Sequence, residues 1–337
     1  MYEIAIVGLG PAGIIALASL PETKLANTIL FEEHTHLVGN LALYGGIRAN
    51  LTKQEILNAF FAIPRWRTKQ PNCLAKYADT ECPFLVDVCN QMREWILPDI
   101  HSTSFQTKRV TDLQEHPTCW KLRTSDQVFE AQKVLLCIGS NPKTMDLPKP
   151  TIPLPFCLQP SELQNRVQPS DHVVVIGTAH SGTLVLRNLK NLGCKDVVGI
   201  YRNTPFAYAR DGNRRGIKQE SANIADEIQN GAWGDFTPTL LPLNDVAQAY
   251  RAVERATYVL YAHGFEQPDM TYLDATGQRH PFRFQPETGQ FNGLSNIWGF
   301  GIAFPSLIPE TNVQDIGFQG FIRAIQNALP AIVDSNV

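Results

Sequence analysis

At 337 residues and 44% hydrophobic content, the chain is long enough to bury two cores of ordinary domain size. A formal net charge of -3 gives no electrostatic basis for nucleic acid or an anionic membrane as partner, which leaves a small-molecule substrate as the expectation. Apolar runs such as Val134 to Ile138 and Val173 to Ile176 fall far short of the roughly 20 residues that a bilayer-spanning helix needs.

The N-terminus runs Met-Tyr-Glu-Ile-Ala-Ile-Val-Gly, with no basic region ahead of its apolar stretch, so it does not read as a signal peptide and a cytoplasmic protein is expected. Glu3 to Val7 reads as a strand, Gly8 to Gly13 as a glycine turn, Ile14 to Leu20 as a helix and Thr28 to Glu32 as a second strand, a βαβ start. Gly8-Leu9-Gly10-Pro11-Ala12-Gly13 is a full G-x-G-x-x-G in the strand–turn–helix context that gives the motif its meaning. Gly8 permits the tight turn, Gly10 lets the backbone approach a pyrophosphate, and Gly13 lets helix and strand pack closely. The N-terminus of the helix that follows presents free N–H groups and a partial positive charge to that anion. Glu32, which ends the second strand, can accept hydrogen bonds from ribose hydroxyls and would repel a 2'-phosphate. Glu33 is the competing carboxylate.

Further along, a helix is expected around Phe84 to Trp95, with strands near Ser104 to Val110, Trp120 to Leu122 and Lys133 to Ile138. Prolines 142, 148, 150, 153, 155, 160 and 169 read as a stiff extended crossing between domains. A second unit follows: strand His172 to Ile176, turn Gly177 to Gly182, helix Thr183 to Leu192 and strand Asp196 to Tyr201. Its turn, Gly177-Thr178-Ala179-His180-Ser181-Gly182, has alanine in place of the middle glycine. Tyr201-Arg202 follows the next strand with no acid, and Arg202 suits the 2'-phosphate of NADP. Arg210, Arg214 and Arg215 are either additions to that pocket or solvated loop residues. His180 either orients a nicotinamide or phosphate group or makes a local backbone hydrogen bond. Thr257 to Ala262 reads as a return strand ending at His263-Gly264, and the last third, with Asn296 to Phe300 and a helix from Ile316 to Leu329, completes the first domain.

Other chemistries have little support. Cysteines at 73, 82, 89, 119, 137, 157 and 194 form an odd set without Cys-x-x-Cys or metal-ligand spacing, and the alternating His34 and His36 are a weak metal signal, so no metal is expected. No Gly-x-Ser-x-Gly elbow precedes a helix. The tryptophans read as core residues, since no basic stripe accompanies them.

The two glycine turns, Val134-Leu135-Leu136-Cys137-Ile138-Gly139 with Ser140-Asn141-Pro142, and Tyr261-Ala262-His263-Gly264-Phe265 together resemble the two-dinucleotide-binding-domain flavoproteins, the superfamily of thioredoxin reductases and of flavin-containing and N-hydroxylating monooxygenases. The resemblance implies an α/β fold of two Rossmann-like domains, with an FAD domain at 1–149 and 264–337 and an NADPH domain inserted at 150–263. It implies FAD on Gly8, Gly10, Pro11, Ala12, Gly13 and Glu32, with Gly139 at a crossing, and NADPH on Gly177, Ala179, His180, Ser181, Gly182 and Arg202. Gly39 to Ile47 resembles the loop after the FAD acid, which brings in Asn40, and Arg48 or Lys53 as a partner for a phosphate or reduced flavin. The late Gly-Asp motif of the superfamily is replaced by Gly299-Phe300-Gly301-Ile302-Ala303-Phe304-Pro305, leaving the N–H groups near Gly301 and Ile302 to face the flavin.

The branch without redox cysteines implies hydride transfer from NADPH to FAD and then to oxygen and a small-molecule substrate. The alternatives are a diaphorase-like reductase of a quinone, metal complex or protein, and a flavin-binding sensor with vestigial turnover. No catalytic side chain is assigned by spacing. His263 is a candidate for gating or proton transfer beside a hinge or packing role, and a homodimer is left open.

Overall fold

The computed structural model describes residues 1–34, 37–209, 216–308 and 313–334. The chain forms two compact units, one of Met1–Ala42, Thr52–Ser140 and Gln267–Val337, the other of Leu43–Leu51 and Asn141–Glu266. The second unit thus begins at 141 where the sequence placed it at 150, ends at 266 where the sequence had 263, and takes in a short segment, 43–51, from the early chain.

The first unit is built on a nine-stranded sheet. At its centre Tyr2–Val7 pairs in parallel with Thr28–Phe31 on one side and Val128–Leu136 on the other. Ser104–Gln106 extends the sheet beyond Thr28–Phe31, and Ile297–Gly299 returns late in the chain to pair in parallel with Val128–Leu136. The nine residues of Val128–Leu136 let this strand serve two partners in succession: its first half closes an antiparallel meander with Cys119–Arg123 and Asp112–His116, its second half joins the parallel set. Burial changes along it accordingly, alternating at the start and continuous at the end, as expected where one face and then both faces are covered.

Helix Pro11–Ser19 is buried at every residue except Pro11, which its small and branched apolar sequence permits. Helix Lys53–Phe61 starts at a capping box in which the Thr52 hydroxyl accepts from the Glu55 N–H and Glu55 accepts from the Thr52 N–H. Helix Leu85–His101 runs past the expected end near Trp95 and carries Pro98 inside it, because Trp95, Ile96, Asp99 and Ile100 are all buried and hold the last turns in place. The final helix, Phe318–Val333, is fastened by Lys133, whose Nζ donates to the carbonyls of Ala331, Ile332 and Asp334 at 3.0, 3.0 and 2.6 Å. A cation on the carbonyl end of a helix satisfies orphan acceptors and complements the dipole.

The second unit has a five-stranded parallel sheet ordered Thr239–Pro242, Val197–Tyr201, Val173–Ile176, Tyr258–Tyr261 and Thr151–Ile152. Val173–Ile176 is buried throughout, with helices on both faces. The proline-rich crossing is not one extended segment: Leu154–Cys157 and Pro160–Gln164 form short helices, with Pro155 and Pro160 in their first turns where the missing N–H costs nothing. The outgoing and returning crossings pair antiparallel, Pro142 with Phe265 and Asn141 with Glu266. Trp66, Trp95, Trp233 and Trp298 are all buried, as core residues should be. No helix among the described residues is long and apolar enough to cross a membrane.

Candidate functional site: two equivalent glycine turns

The first turn is shaped by backbone contacts that leave no room for side chains. Gly8 has φ +92°, and a Cβ there would lie 2.4 Å from the Cys137 carbonyl oxygen, while a Cβ on Gly13 would lie 2.0 Å from the oxygen of Gly8. Gly10 differs: a Cβ there meets nothing within 4 Å, so the space over it is open. It is the N-cap of helix Pro11–Ser19 and offers no side-chain cap, which leaves the N–H groups of the first turn available to an anion. Across this end lies the late segment, where a Cβ on Gly301, at φ +91°, would come 2.8 Å from Ala12 Cβ. Ile302 is half-buried beside it, and Phe304 N–H bonds the Gly301 carbonyl.

Glu32 is buried with both carboxylate oxygens engaged, Oε2 accepting from the Leu9 N–H at 2.8 Å and Oε1 from the His34 N–H at 3.1 Å. It therefore organises the turn itself, and its remaining lone pairs are what a ribose can use. Glu33, the competitor, is exposed and pairs with Arg109 at 3.5 Å.

The second turn repeats these relations. A Cβ on Gly177, at φ +99°, would lie 2.4 Å from the Ala262 carbonyl oxygen, and one on Gly182 would lie 2.0 Å from the oxygen of Gly177. Ala179, N-cap of helix His180–Leu192, has φ -78° and ψ -158°, close to the -65° and -177° of Gly10. The middle residue thus needs no positive φ, and the Ala179 methyl is exposed on the face that Gly10 leaves open. His180 Nδ1 lies 3.0 Å from the buried Ser221 hydroxyl, a partner that sequence spacing did not reveal.

The remaining expected residues are more scattered. Gly139 follows Cys137-Ile138 at the first turn with φ +69°. Asn40 is exposed in the turn of helix Gly39–Tyr44, and Arg48 belongs with the second unit instead of the first. Lys53 pairs with Asp79 at 3.0 Å and donates to the Tyr77 carbonyl at 2.9 Å. Strand register sets Gly8 N–H on Phe31 O and Gly177 N–H on Ile200 O, both at 2.8 Å, so Tyr201 occupies the place of Glu32 and the exposed Arg202 that of Glu33. Arg210, Arg214, Arg215 and His36 lie outside the described residues. His263 follows the strand under the second turn in the place that Ile138 has under the first; its Nδ1 is buried without a hydrogen-bond partner among the described residues, and its ring meets Tyr261 edge-on.

Burial, more than the neighbouring Lys218, depresses the pKa of His180 below its ordinary 6.5. A histidine neutral in the fold contributes stability above the unfolded pKa and loses it as pH falls toward the folded one, because the unfolded chain then binds the extra proton. The urea midpoint is therefore expected to fall on acidification from pH 7 to 5, with a smaller fall in His180→Gln; equal falls in both proteins would assign the acid sensitivity to other groups.

Four buried thiols are held in their protonated form. Burial pushes Cys89 and Cys194 up to about 11 and Cys157 up to about 12, and raises Cys137 further. Among the described residues no group of three or more His, Cys, Asp or Glu side chains is arranged to hold a metal ion.

The sequence pattern of the family described as pyridine nucleotide-disulphide oxidoreductase matches residues 2–222, from the first strand through both glycine turns. The chain belongs to this family. It is an oxidoreductase, and its family is one of flavin-dependent, NAD(P)H-using enzymes. Monooxygenase AgnR1 of Paecilomyces divaricatus is 25% identical over 379 residues, covering 96% of each chain. Among solved structures, the bacillithiol disulfide reductase Bdr of Staphylococcus aureus matches with TM-score 0.66 at 14% identity, over 98% of both chains. A flavin-containing monooxygenase from Stenotrophomonas maltophilia matches with TM-score 0.63 at 12% identity and the same coverage. At such identities these two establish the shared fold alone.

Proposed function

We propose that this oxidoreductase is an FAD-dependent, NADPH-using monooxygenase acting on a small-molecule substrate. The observation that carries the reading is the pairing of an intact dinucleotide cradle at the first turn with seven free cysteines that form no Cys-x-x-Cys in the sequence, five of them buried. A disulfide reductase passes electrons through two thiols; without them oxygen is the natural acceptor. The full-length likeness to a protein named as a monooxygenase supports the same choice.

The first turn's residues fit FAD. The open face of Gly10 admits the pyrophosphate, the uncapped N–H groups after it neutralise the charge, Glu32 accepts from ribose hydroxyls, and the backbone at Gly301 lies against the same helix end. Bound there, FAD supplies the hydride acceptor and the site from which electrons reach oxygen. The second turn and Arg202 hold NADPH, the guanidinium pairing with the 2'-phosphate that a carboxylate at Tyr201's place would repel.

The test is the electron balance. Under anaerobic conditions NADPH should bleach the flavin band faster than NADH, and oxygen uptake in the presence of substrate should match NADPH consumed without equivalent hydrogen peroxide. Rapid anaerobic turnover with a quinone and no oxygen-dependent product would instead make the protein a reductase, and a flavin that NADPH barely reduces would point to a sensor.

A further inference from the structure

Val38 is the structural oddity of the first unit: a β-branched residue at φ +83°, fully buried, followed at once by Gly39 at φ +53°. Branched side chains avoid that region, so something around the residue must impose it. The imposed step lies directly on the first glycine turn. Val38 N–H donates to the Leu9 carbonyl at 3.0 Å, and a Cβ on Gly39 would lie 3.1 Å from Gly10 Cα. Leu9 is also the residue whose N–H is held by Glu32.

What grips the other side of the step is Arg93, from helix Leu85–His101. Its Nε and Nη2 both donate to the Leu37 carbonyl, at 3.2 and 3.1 Å, and its Nη1 donates to Asn90 Oδ1 at 2.9 Å. Among the described residues Arg93 forms no ion pair; two of the three bonds of this half-buried guanidinium go to the one backbone carbonyl immediately before the strained residue. A planar fork that locks a single oxygen from two nitrogens is a fixing device that a lysine cannot copy.

We propose that Arg93 is a positioning residue for the flavin: through the Leu37 carbonyl it holds the Val38–Gly39 step across the first glycine turn and so keeps the face over Gly10 in its anion-binding shape. The inference rests on the reading of that turn as the FAD site. Arg93 touches no part of the cradle directly. It acts through one chain of contacts, Arg93 to Leu37, Val38 to Leu9 and Leu9 to Glu32, which ties a helix to the turn and to the acid beyond it.

The experiment is a double-mutant cycle on the full chain, read as FAD affinity by flavin fluorescence and as the thermal midpoint of the apoprotein. Arg93→Met is expected to raise the FAD dissociation constant about ten- to a hundredfold, the range for loss of charge-assisted hydrogen bonds. Val38→Gly relieves the conformation that Arg93 enforces, so the Arg93→Met change should weaken FAD much less in the Val38→Gly background than in the wild type. Arg93→Lys, which keeps the charge without the fork, should fall between wild type and Arg93→Met, and supplies the comparison if the methionine variant does not fold. A wild-type protein that binds FAD while Arg93→Met and Arg93→Lys bind it equally well would overturn the inference, as would strict additivity in the cycle. A wild-type protein with no affinity for FAD would instead sink the flavin reading itself.

Discussion

Replacing Gly10 by alanine should leave the apoprotein as stable as the wild type while weakening FAD about ten- to a hundredfold, whereas alanine at Gly13 should damage the fold itself. The two glycines are three residues apart in one motif, but the structure assigns them different tasks. A methyl group on Gly10 meets no atom within 4 Å, and its φ of -65° suits any residue, so the only thing it obstructs is a ligand brought against the backbone. Losing close, charge-assisted hydrogen bonds to a pyrophosphate sets the size of the effect. On Gly13 the methyl would sit 2.0 Å from the Gly8 oxygen, and backbone cannot yield as the end of a flexible side chain can. Such overpacking costs roughly 1–3 kcal/mol or more. Thermal melts of the apoproteins and FAD titrations separate the cases. Gly10→Ala binding FAD as tightly as wild type would mean that no phosphate approaches that face. Ala179 serves as an internal control, since it shows that the same turn folds with a methyl group at the middle position.

That comparison also explains what was legible in the sequence. The first turn could be read because all its determinants are local: a buried strand, three glycines at fixed spacing, a helix, and an acid at the end of the next strand. The second was readable for the same reason despite Ala179, since the alternation of strand, turn and helix survives one substitution. The equivalence of Cys137 and Ala262, whose carbonyl oxygens would each lie 2.4 Å from a Cβ added at Gly8 or Gly177, is not readable from sequence. It depends on strands more than 80 residues away in each case being drawn alongside.

Elements set by tertiary contact were missed for that reason. The hairpin Thr271–Leu273 with Arg279–Pro281 carries little apolar alternation and is held by pairing to Asp112–His116 and by Asp274, which accepts from the Thr276 hydroxyl and Gln278 N–H and meets the His280 ring. Helices Glu220–Gln229 and Val246–Arg255 are likewise absent from the sequence reading, although the second has a strongly two-sided pattern, with Ala249 and Ala252 as its buried residues. Arg93 left no trace at all: an arginine on an amphipathic helix reads as a solvated face until its partner, a carbonyl 56 residues away, is seen.

Arg202→Ala should lower the preference for NADPH over NADH about ten- to a hundredfold, chiefly through KM, while leaving thermal stability unchanged. Register decides why this residue matters. Because Gly177 N–H falls on Ile200 O as Gly8 N–H falls on Phe31 O, the second unit carries Tyr201 where the first carries Glu32, and the carboxylate that would reject a 2'-phosphate is missing. Arg202, next along, is exposed and makes no ion pair among the described residues, so its removal breaks nothing in the fold. A guanidinium gains a charge-assisted, two-pronged bond from a phosphate dianion and almost nothing from a ribose hydroxyl, which makes the loss specific to NADPH. Steady-state kinetics with both nucleotides, repeated at raised ionic strength, test the point: the wild-type preference should shrink with salt and that of Arg202→Ala should not. An unchanged ratio of the two KM values would move phosphate recognition elsewhere in the second unit. Reversal by Arg202→Glu, which restores the charge sign that the first unit shows at Glu33, would tie nucleotide choice to this position on the strand end.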